Sequence, residues 1–412
     1  MLFLPRLSEY MYLSDLYKKS YSGVDREIWM LALVSFVNRV GSMVLPFLTI
    51  YLSSVKNYSL SLTGLVMMGY GIGSFFGNWA GGILSDRIGP FRLQLLSLLS
   101  SGLALYVLRW LDSPLAIAFG LFCCSFLADA FRPANMASVA SLASDQSRTK
   151  AVGVTRLAFN LGFSAGPALG GLIAVSLGYN WLFFIDGSSC LLAGLIFFLF
   201  FRKQIFSEHR ASRKKNENAD EQPHMRHLFR DRPFLIFMLL MFIYGVIFMQ
   251  FFSSVPVFFK NKLLYSEDYI GVLMGLNGLL VVLIELPIIH LIEKKGQMRM
   301  MALGTLMVGI AFLLLLPGKF MIFAILATLM FTLGEVFSLP FATTVVLNRS
   351  SEKMRARYMA FYGMTFSLCH TAAPVFGMFI ADNISFTALW IILALLMLLC
   401  SWAIYSLRKI LK

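Results

Sequence analysis

Charged residues are scarce in this chain. Asp, Glu, Lys and Arg together make up 14% of its 412 residues, against about 25% in a typical soluble domain. Hydrophobic residues make up 58%, and they gather in apolar runs longer than the roughly 18 residues that a helix needs to cross a bilayer. The composition excludes a soluble globular domain and predicts a protein that crosses the membrane many times.

The chain also lacks the patterns on which most enzymes and metal sites depend. Its five cysteines all fall inside apolar runs, and none has the spacing of a metal ligand or of a disulfide framework. Gly69, Gly71 and Gly73 are spaced like part of a nucleotide loop, but they lie inside an apolar run and no Gly-Lys-Ser/Thr follows them. No Ser/His dyad or His/Glu cluster has a sensible spacing. We therefore expect no enzyme activity, no cofactor and no ATP site, with a proton gradient as the energy source.

Basic residues are unevenly distributed along the chain. The net charge of +14 is compatible with a nucleic-acid partner, but 27 of the 35 Lys and Arg residues lie in one set of segments between apolar runs. Only five lie in the opposite set and three within the runs. Because cytoplasmic loops carry such an excess, the bias predicts cytoplasmic termini and contact with anionic lipids, not nucleic acid. No signal peptide is evident in residues 1–27, and the compact loops favour a bacterial inner membrane.

Twelve apolar runs account for nearly the whole chain. Only helices or closed barrels satisfy the backbone in a bilayer, and these runs are too long for barrel strands, which predicts an all-α membrane protein. The predicted spans 1 to 12 cover 28–53, 60–84, 93–111, 115–140, 150–177, 181–201, 233–259, 269–292, 299–316, 320–347, 358–381 and 385–407. The predicted units are an N-terminal cytoplasmic segment 1–27, a six-helix bundle 28–201, a charged cytoplasmic linker 202–232, a second six-helix bundle 233–407 and a tail 408–412.

The two predicted bundles repeat each other in sequence. The residues that coincide at one offset of 207 are Gly64 with Gly271, Gly71 with Gly278, Pro133 with Pro340 and Pro167 with Pro374. A chain that repeats its glycines and prolines at half its length is built from two similar, pseudo-symmetric bundles. Transporters with such repeats place their binding site between them, near the bilayer midplane.

Two motifs carry a family resemblance. Residues 82–92 read Gly-Ile-Leu-Ser-Asp-Arg-Ile-Gly-Pro-Phe-Arg between spans 2 and 3, and residues 162–171 of span 5 read Gly-Phe-Ser-Ala-Gly-Pro-Ala-Leu-Gly-Gly. The first resembles the loop 2–3 motif of the major facilitator superfamily, and the second resembles the span 5 motif of its proton antiporters. Pro90 and Phe91 depart from the first motif, which usually has two basic residues there. The resemblance covers essentially the full chain and implies two six-helix bundles that alternate access to a central cavity.

The glycines of span 5 also have a direct physical meaning. Because they recur at helical spacing, they leave one face of the helix without side chains, and another helix can approach it closely. Pro167 removes one backbone donor and bends the helix. The predicted packing and bending residues are Gly162, Gly166, Pro167, Gly170 and Gly171.

The family resemblance implies gating roles for charged residues at the cytoplasmic ends of the spans. Asp86, and Glu293 at the equivalent position of the second half, would cap the positive N-terminus of a neighbouring helix. For Asp86 the family suggests span 11, in the state closed to the cytoplasm. Arg87 and Arg92 would bridge to acids on adjacent loops, or simply add to the cytoplasmic positive charge.

Acids inside the spans are candidates for function, because burying a charge in a bilayer is costly. Glu335, Asp129 and Glu285 are the candidate proton-coupling residues, since a carboxyl group in a partly dry cavity can exchange a proton near neutral pH. A permanent ion pair is the alternative for Glu335, and pairing with Arg132 one turn away is the alternative for Asp129. Structural polarity is the alternative for Glu285.

Polar residues near the midplane are candidates for a substrate cavity. Arg39 would bind a carboxylate. His370 titrates near neutrality, although a lone histidine on an apolar helix is more often simply hydrogen-bonded. By contrast, Asp186 and Asp382 lie near outer helix ends, where we expect them to be solvated. The full set of cavity candidates is Arg39, Asn38, Arg132, Asn160, Gln250, Asn277 and His370.

These features predict a proton-coupled secondary transporter whose direction stays open. The leading hypothesis is export of small amphipathic or drug-like compounds, because span 5 and Gly334-Glu335 resemble multidrug/proton antiporters. The alternative is uptake of peptides or small organic anions, because Glu335 and Asn38-Arg39 are also similar to peptide symporters. A non-transporting receptor on the same fold agrees less well with the retained membrane charges. We expect a monomer whose partners are a small-molecule substrate, protons and membrane lipids.

Overall fold

The computed structural model describes residues 24–143, 148–211, 230–292, 296–318, 320–350 and 354–408. Within these ranges the chain forms helices and no strand. The helices are α1 (Arg26–Gly41), α2 (Val44–Ile50), α3 (Leu60–Ile88), α4 (Pro90–Leu108), α5 (Pro114–Asp129), α6 (Phe131–Leu142), α7 (Arg148–Ser176), α8 (Tyr179–Ala211), α9 (Arg232–Phe248), α10 (Gln250–Asn261), α11 (Glu267–Ile292), α12 (Gln297–Leu313), α13 (Met321–Arg349), α14 (Arg355–Asn383) and α15 (Phe386–Leu407). A short π-helix, Tyr51–Val55, extends α2.

These helices form the twelve predicted spans, with spans 1, 4 and 7 each divided into two helices. In the described part of the chain, eleven segments are long and apolar enough to cross a membrane, and α12 is a further apolar helix of 17 residues. The prediction of an all-α membrane protein is confirmed. Twelve crossings bring the start of span 1 and the end of span 12 to the same side, which we call the termini face. The opposite side is the far face.

The helix boundaries follow the sequence repeat of 207 residues. Equivalent helices begin at Leu60 and Glu267, Pro90 and Gln297, Pro114 and Met321, Arg148 and Arg355, and Tyr179 and Phe386. Each pair is 207 residues apart, the separation that also relates Ser54 to Asn261. The turns before spans 3 and 9 contain Gly89 at φ 94° and Gly296 at φ 90°, a conformation that residues with a side chain rarely adopt.

Spans 1 and 7 are interrupted at equivalent positions. In span 1, α1 ends at Gly41 and α2 begins at Val44. In span 7 the interruption is at Met249, the equivalent of Ser42 in the repeat. Pro46 contributes to the first break, because it lacks the N–H that would bond the carbonyl oxygen of Ser42. Interrupted helices at matching positions of two repeats mark the binding region in transporters of this design.

The bundles contact each other along two equivalent interfaces, span 2 with span 11 and span 5 with span 8. In the first, a Cβ added to Gly64 would lie 2.7 Å from the carbonyl oxygen of Pro374. In the second, Gly271 packs against the carbonyl oxygen of Pro167. Backbones approach this closely only where side chains are missing. The glycines and prolines recur in the sequence because they build the same interface twice.

The bundles meet at the far face and separate towards the termini face. At the far face, the backbone N–H of Ser61 in span 2 donates to the carboxylate of Asp382 in span 11 over 3.0 Å. At the other end of the same two spans, a Cβ added to Gly82 or Gly363 would have no neighbour within 4 Å. The space between the bundles is therefore open on the termini face.

Span 6 is longer than the sequence predicts. Helix α8 continues to Ala211, with a kink at Phe201 (φ −109°, ψ 15°). The first part of the predicted linker 202–232 is therefore helical and continues span 6. Residues 1–23, 212–229 and 409–412, together with the gating candidate Glu293, lie outside the described residues.

Candidate functional site

A cavity lies inside the N-terminal bundle, among spans 1 to 6. Its empty volume is about 840 Å³, including the space around its mouth. Apolar side chains from several spans form much of its wall, and polar groups converge on it from different helices. The polar and charged residues that line it are Asn38, Arg39, Ser42, Tyr70, Ser101, Ser125, Asp129 and Asp186.

Arg39 lies in the last turn of α1, just before the break in span 1. Its guanidinium carbon is 5.0 Å from the centre of the Phe159 ring, which is a cation–π distance. Its Nε atom is buried and has no hydrogen-bond acceptor among the described residues. Gly162 and Gly166 of span 5 permit this arrangement, because side chains there would meet the Cβ and carbonyl oxygen of Arg39. Arg39 therefore brings a cation with a spare donor to the cavity.

Asp129 lies at the break in span 4. Pro133 cannot donate to the carbonyl oxygen of Asp129, so the helix is interrupted at Ala130. The carboxylate lies 3.2 Å from Nε of Arg132, with 6% of the Asp129 side chain exposed. Since Arg132 is a fixed partner one turn away, the structural alternative for Asp129 has direct geometric support.

Asp186 requires a correction, because the sequence led us to expect a solvated side chain. Only 6% of it is exposed. One carboxylate oxygen accepts a hydrogen bond from the backbone N–H of Val44 over 3.3 Å, and the thiol of Cys190 lies 3.9 Å from the other. Span 6 turns this residue inward, towards the break in span 1. Its spacing with Ser189 and Cys190 (i, i+3, i+4) was the available sequence signal, since it places all three on one helix face.

Glu335 lies in span 10 of the other bundle. Its carboxylate accepts a hydrogen bond of 3.1 Å from the side-chain amide of Asn277 in span 8. The same amide donates to Thr332 over 3.0 Å, so Asn277 is held between two groups of span 10. In the described part of the chain, the carboxylate of Glu335 has no Lys or Arg nitrogen at ion-pair distance.

Glu285 forms an ion pair with Arg156, and this pair joins span 8 to span 5 across the two bundles. The Glu285 side chain is 9% exposed and that of Arg156 is 55% exposed. The equivalent positions on the other interface are Asn78 and Gly363, where no charge is available. The two interfaces therefore match in packing but differ in electrostatics.

The remaining cavity candidates occupy different places. The amide of Asn38 lies 3.4 Å from Cys190 Sγ, at the edge of the cavity. The Nδ1 atom of His370 lies 2.9 Å from the carbonyl oxygen of Phe366, one turn earlier in its own helix. Asn160 is partly buried in span 5. The part that these three side chains play in substrate binding stays a prediction.

Gln250 begins the second half of span 7 and is fully buried. Its amide donates to the carbonyl oxygen of Ala373 in span 11 over 2.7 Å, and its oxygen accepts from Ser254 over 2.5 Å. The side chain thus links two spans of the C-terminal bundle, and it does not line the cavity of the N-terminal bundle.

The gating candidates on the termini face are mostly exposed. Asp86 and Arg87 both lie at the surface, and Nε of Arg92 donates to the carbonyl oxygen of Ile205 in span 6 over 2.8 Å. An exposed Asp86 agrees with bundles that are apart on this face, since the cap that the family resemblance implies belongs to the state closed there.

Taken together, each bundle has one acid without a cation at ion-pair distance in the described part, the buried Asp186 and the partly buried Glu335. The site also has two acids that are paired, Asp129 and Glu285. Arg39 presents an unmatched donor to the cavity. Such a set can bind a small solute and exchange protons. No group of three or more His, Cys, Asp or Glu side chains within the described ranges is placed to hold a metal ion.

Comparison with known proteins finds bacterial transporters among the relatives of this chain. A Na(+), Li(+), K(+)/H(+) antiporter of Planococcus maritimus is 23% identical over 368 residues, which cover 82% of this chain and 86% of that protein. The MFS-type transporter YttB of Bacillus subtilis (strain 168) is 25% identical over 382 residues, 91% of this chain and 93% of that one.

Solved structures show the same fold. A POT family transporter in complex with 5-aminolevulinic acid superposes with a TM-score of 0.78 at 15% identity, covering 95% of this chain and 98% of that one. The nucleoside transporter NupG gives a TM-score of 0.75 at 15% identity, covering 93% and 100%. The sequence profile described as Major Facilitator Superfamily matches residues 31–266 and 259–410. With its two pseudo-symmetric bundles and nearly its full length matched, the chain belongs to the Major Facilitator Superfamily and is a transporter, not an enzyme.

Proposed function

We propose that the chain is a proton-coupled antiporter that exports small amphipathic or drug-like compounds across a bacterial inner membrane by alternating access. In this proposal the termini face is cytoplasmic, as the distribution of basic residues favours. The arrangement of the bundles then corresponds to an inward-open state. Cargo enters from the cytoplasm, and protons enter from the far face after the bundles have rocked.

The observation that carries the proposal is the environment of Glu335. Its carboxylate is held by the neutral amide of Asn277 at 3.1 Å. Protonating it therefore breaks no ion pair, whereas protonating Asp129 or Glu285 would break the pair with Arg132 or Arg156. In both pairs the carboxylate is the buried partner, and losing the pair costs free energy. Of the three predicted acids, Glu335 can gain and lose a proton at the smallest structural cost.

Protonation of Glu335 changes the environment that its side chain requires. In the ionised form the carboxylate needs the Asn277 donor and water from the open face. In the neutral form the group tolerates a dry environment, so the proton-loaded site can pass through the closed intermediate between the two open states. Cargo and proton thus compete: the site releases its proton to the cytoplasm while the termini face is open and cargo is bound. This competition gives exchange of cargo for protons.

A second candidate is uptake of peptides or small organic anions together with protons. The unmatched Nε of Arg39 favours it, because a guanidinium group binds carboxylates with directed hydrogen bonds. The relative from Planococcus maritimus adds a third kind of cargo to be tested, since its name assigns it Na⁺, Li⁺ and K⁺.

The test uses purified protein in liposomes that carry an internal pH dye. Ethidium, tetraphenylphosphonium, a dipeptide, NaCl and KCl are added one at a time, and the proton flux caused by each is recorded. Export predicts that at least one organic cation drives proton movement in the opposite direction. Glu335→Gln should abolish that flux, while Asp112→Asn, a change at an exposed acid whose ion-pair partner Lys56 lies in the same bundle, should retain it.

Each other outcome has a defined meaning. Co-directional movement of dipeptide and protons would replace export by uptake. A flux caused only by NaCl or KCl would reassign the cargo to monovalent cations. Full proton-linked flux in Glu335→Gln would remove this residue from proton coupling.

A further inference from the structure

The break in span 1 is held by three consecutive contacts from one turn of span 6. The Asn38 amide lies 3.4 Å from Cys190 Sγ, Gly41 packs against the Ser189 side chain, and the Val44 N–H donates to Asp186 over 3.3 Å. Two of the contacts are on the first half-helix or at its end, and the third is at the start of the second half-helix. Span 6 therefore bridges the interruption.

The Asp186 carboxylate is the only charged group among these contacts, and it has an unusual set of neighbours. It is 6% exposed and lines the cavity. The groups whose charges reach it are Arg39 from span 1, Tyr70 from span 2 and Cys124 from span 4, with Cys190 on its own helix. The charges of Asp129 and Arg132 in span 4 act on Arg39 and Tyr70, which line the same cavity.

Opposing influences act on this carboxyl group. Burial disfavours a charged carboxylate, whereas the Val44 N–H and the positive charge of Arg39 favour it. In the described part of the chain, no Lys or Arg nitrogen lies within ion-pair distance of it. Both the neutral and the ionised form are therefore accessible at modest cost. The group also faces the cavity of the N-terminal bundle.

Backbone geometry favours a proton over a metal ion as the occupant. The break presents N–H donors to the carboxylate, not carbonyl oxygens, and Arg39 adds a second positive neighbour. A metal cation needs several oxygen ligands and would be repelled by this surrounding. A proton only has to convert the carboxylate into a neutral acid.

We propose that Asp186 is a proton-exchanging residue whose ionised form fastens the break of span 1 to span 6, so that proton binding at Asp186 releases the break. The inference rests on the proposed proton-coupled transport and adds a second proton-carrying position, in the N-terminal bundle.

Release of the break would move the cavity itself. Arg39 lies three residues before Ser42, and the carbonyl oxygens of Arg39, Val40 and Ser42 would lie within 3.2–3.4 Å of a Cβ on Gly166. Gly170 is equally close to Met43. Span 5 thus presents a smooth face along which the break can slide. A change at Asp186 therefore reaches Arg39 without crossing to the other bundle.

The test needs no substrate. Infrared difference spectra of the purified protein in lipid nanodiscs are recorded between about pH 9 and pH 6, a range in which solvated carboxylates stay ionised. The wild type should gain a protonated-carboxyl band, and Asp186→Asn should lose part of it. Asp186→Glu should keep the band at a shifted frequency, which assigns it to this position even if the Asn variant folds poorly. Asp382→Asn should match the wild type.

Hydrogen exchange tests the second half of the proposal. At a fixed alkaline pH, the peptide that spans residues 42–48 should exchange about tenfold faster in Asp186→Asn than in the wild type, because the neutral amide oxygen of Asn is a weaker acceptor for the Val44 N–H than a carboxylate. Asp382→Asn should leave this peptide unchanged. If the carboxyl band is identical in wild type and Asp186→Asn, Asp186 exchanges no proton and the proposal is wrong.

An altered band with unchanged exchange at 42–48 would overturn the link to the break. Neither result depends on Glu335. Failure of the flux assay with intact Asp186 signals would refute proton-coupled transport of the added solutes but not the titration of Asp186.

Discussion

Ser54 and Asn261 are equivalent residues of the two repeats, and they touch each other. The Ser54 hydroxyl donates to the side-chain oxygen of Asn261 over 3.1 Å, across 207 residues of sequence. Two equivalent positions can meet only beside the pseudo-twofold axis that relates the bundles. This contact therefore marks where the axis leaves the far face, and any opening of that face must separate the pair.

Cross-linking this pair should stop transport. In a variant that lacks the five native cysteines, Ser54→Cys and Asn261→Cys lie at the exposed far face and are accessible to oxidant. A disulfide would hold the bundles together there, so we expect proton-linked flux to fall about tenfold or more, because alternating access requires both faces to open. Reduction should restore it. Each single cysteine variant is the control, and undiminished flux in the fully cross-linked protein would show that the far face does not open at this point.

Glycines at the bundle interfaces should be intolerant of a methyl group. An Ala at Gly64 would place its Cβ 2.7 Å from the Pro374 oxygen, and an Ala at Gly278 would place it 2.8 Å from the Cα of Ser164. Overpacking against backbone costs about 1–3 kcal/mol. We expect both variants to lower the thermal unfolding temperature.

Gly153→Ala is the matched control, because a Cβ there has no neighbour within 4 Å. Equal stability of Gly64→Ala, Gly278→Ala and Gly153→Ala would show that the interface is looser than its distances indicate.

The repeat explains why so much of the architecture follows from the sequence. The pairing of Gly64 with Gly271 and of Pro167 with Pro374 is visible in the sequence, and in the structure each glycine packs on the proline of the opposite bundle. Helix starts follow the same offset, because the turn glycines Gly89 and Gly296 require positive φ. Positive φ angles and close helix packing require glycine or proline at particular positions, so these features can be recognised in a single sequence.

The burial of Asp186 did not follow from the sequence. Its position near the outer end of span 6 suggested solvent, and its spacing with Ser189 and Cys190 shows only that the three share a helix face, not what that face contacts. Its burial depends on the interruption of span 1, which brings the Val44 N–H against it. Likewise, the partner of Glu285 is Arg156 on the other bundle, a contact between two helices whose relative rotation the hydrophobic pattern does not fix. Contacts of this kind are set by tertiary structure, not by local periodicity.

The Arg156–Glu285 pair should stabilise the interface between spans 5 and 8 and not the interface between spans 2 and 11. Arg156→Gln and Glu285→Gln should each destabilise the protein, and the double variant should show a coupling free energy of about 1–2 kcal/mol, because one partner is buried. Thermal unfolding of the four proteins gives this value. The charge-swapped variant Arg156→Glu/Glu285→Arg should recover part of the loss.

Lys56 and Asp112 form the control pair for that cycle. Their distance is 2.6 Å, but 89% of the Asp112 side chain is exposed. Exposed pairs contribute roughly 0–1 kcal/mol. We expect the larger coupling free energy for Arg156–Glu285, the pair between the bundles. A larger value for Lys56–Asp112 would contradict this prediction.

Asp231, at the start of span 7 on the termini face, should make stability depend on acid pH. Partial burial acts to raise the pKa of Asp231, but hydrogen bonds from Arg349 at 2.8 and 2.9 Å and from the Phe234 N–H outweigh it, so the pKa lies below the ordinary value of 3.8. A carboxyl group with a lowered folded-state pKa stabilises the fold fully above its unfolded pKa, and the contribution disappears as the pH falls through the folded value. Asp231→Asn should therefore cost about 1–2 kcal/mol at neutral pH, since an amide can still cap the helix but cannot pair with Arg349.

The pH profile separates the charge of Asp231 from its capping role. The difference in unfolding free energy between wild type and Asp231→Asn should be constant between about pH 5 and pH 7 and should shrink below about pH 4, where the wild-type carboxylate becomes protonated. Asp231→Ala should cost about 1 kcal/mol more than Asn, because it also loses the cap, and that extra cost should not vary with pH. Thermal unfolding in detergent at a series of pH values measures all three proteins. A wild-type advantage over Asn that persists unchanged below the folded pKa would mean that the ion pair with Arg349 does not stabilise the fold.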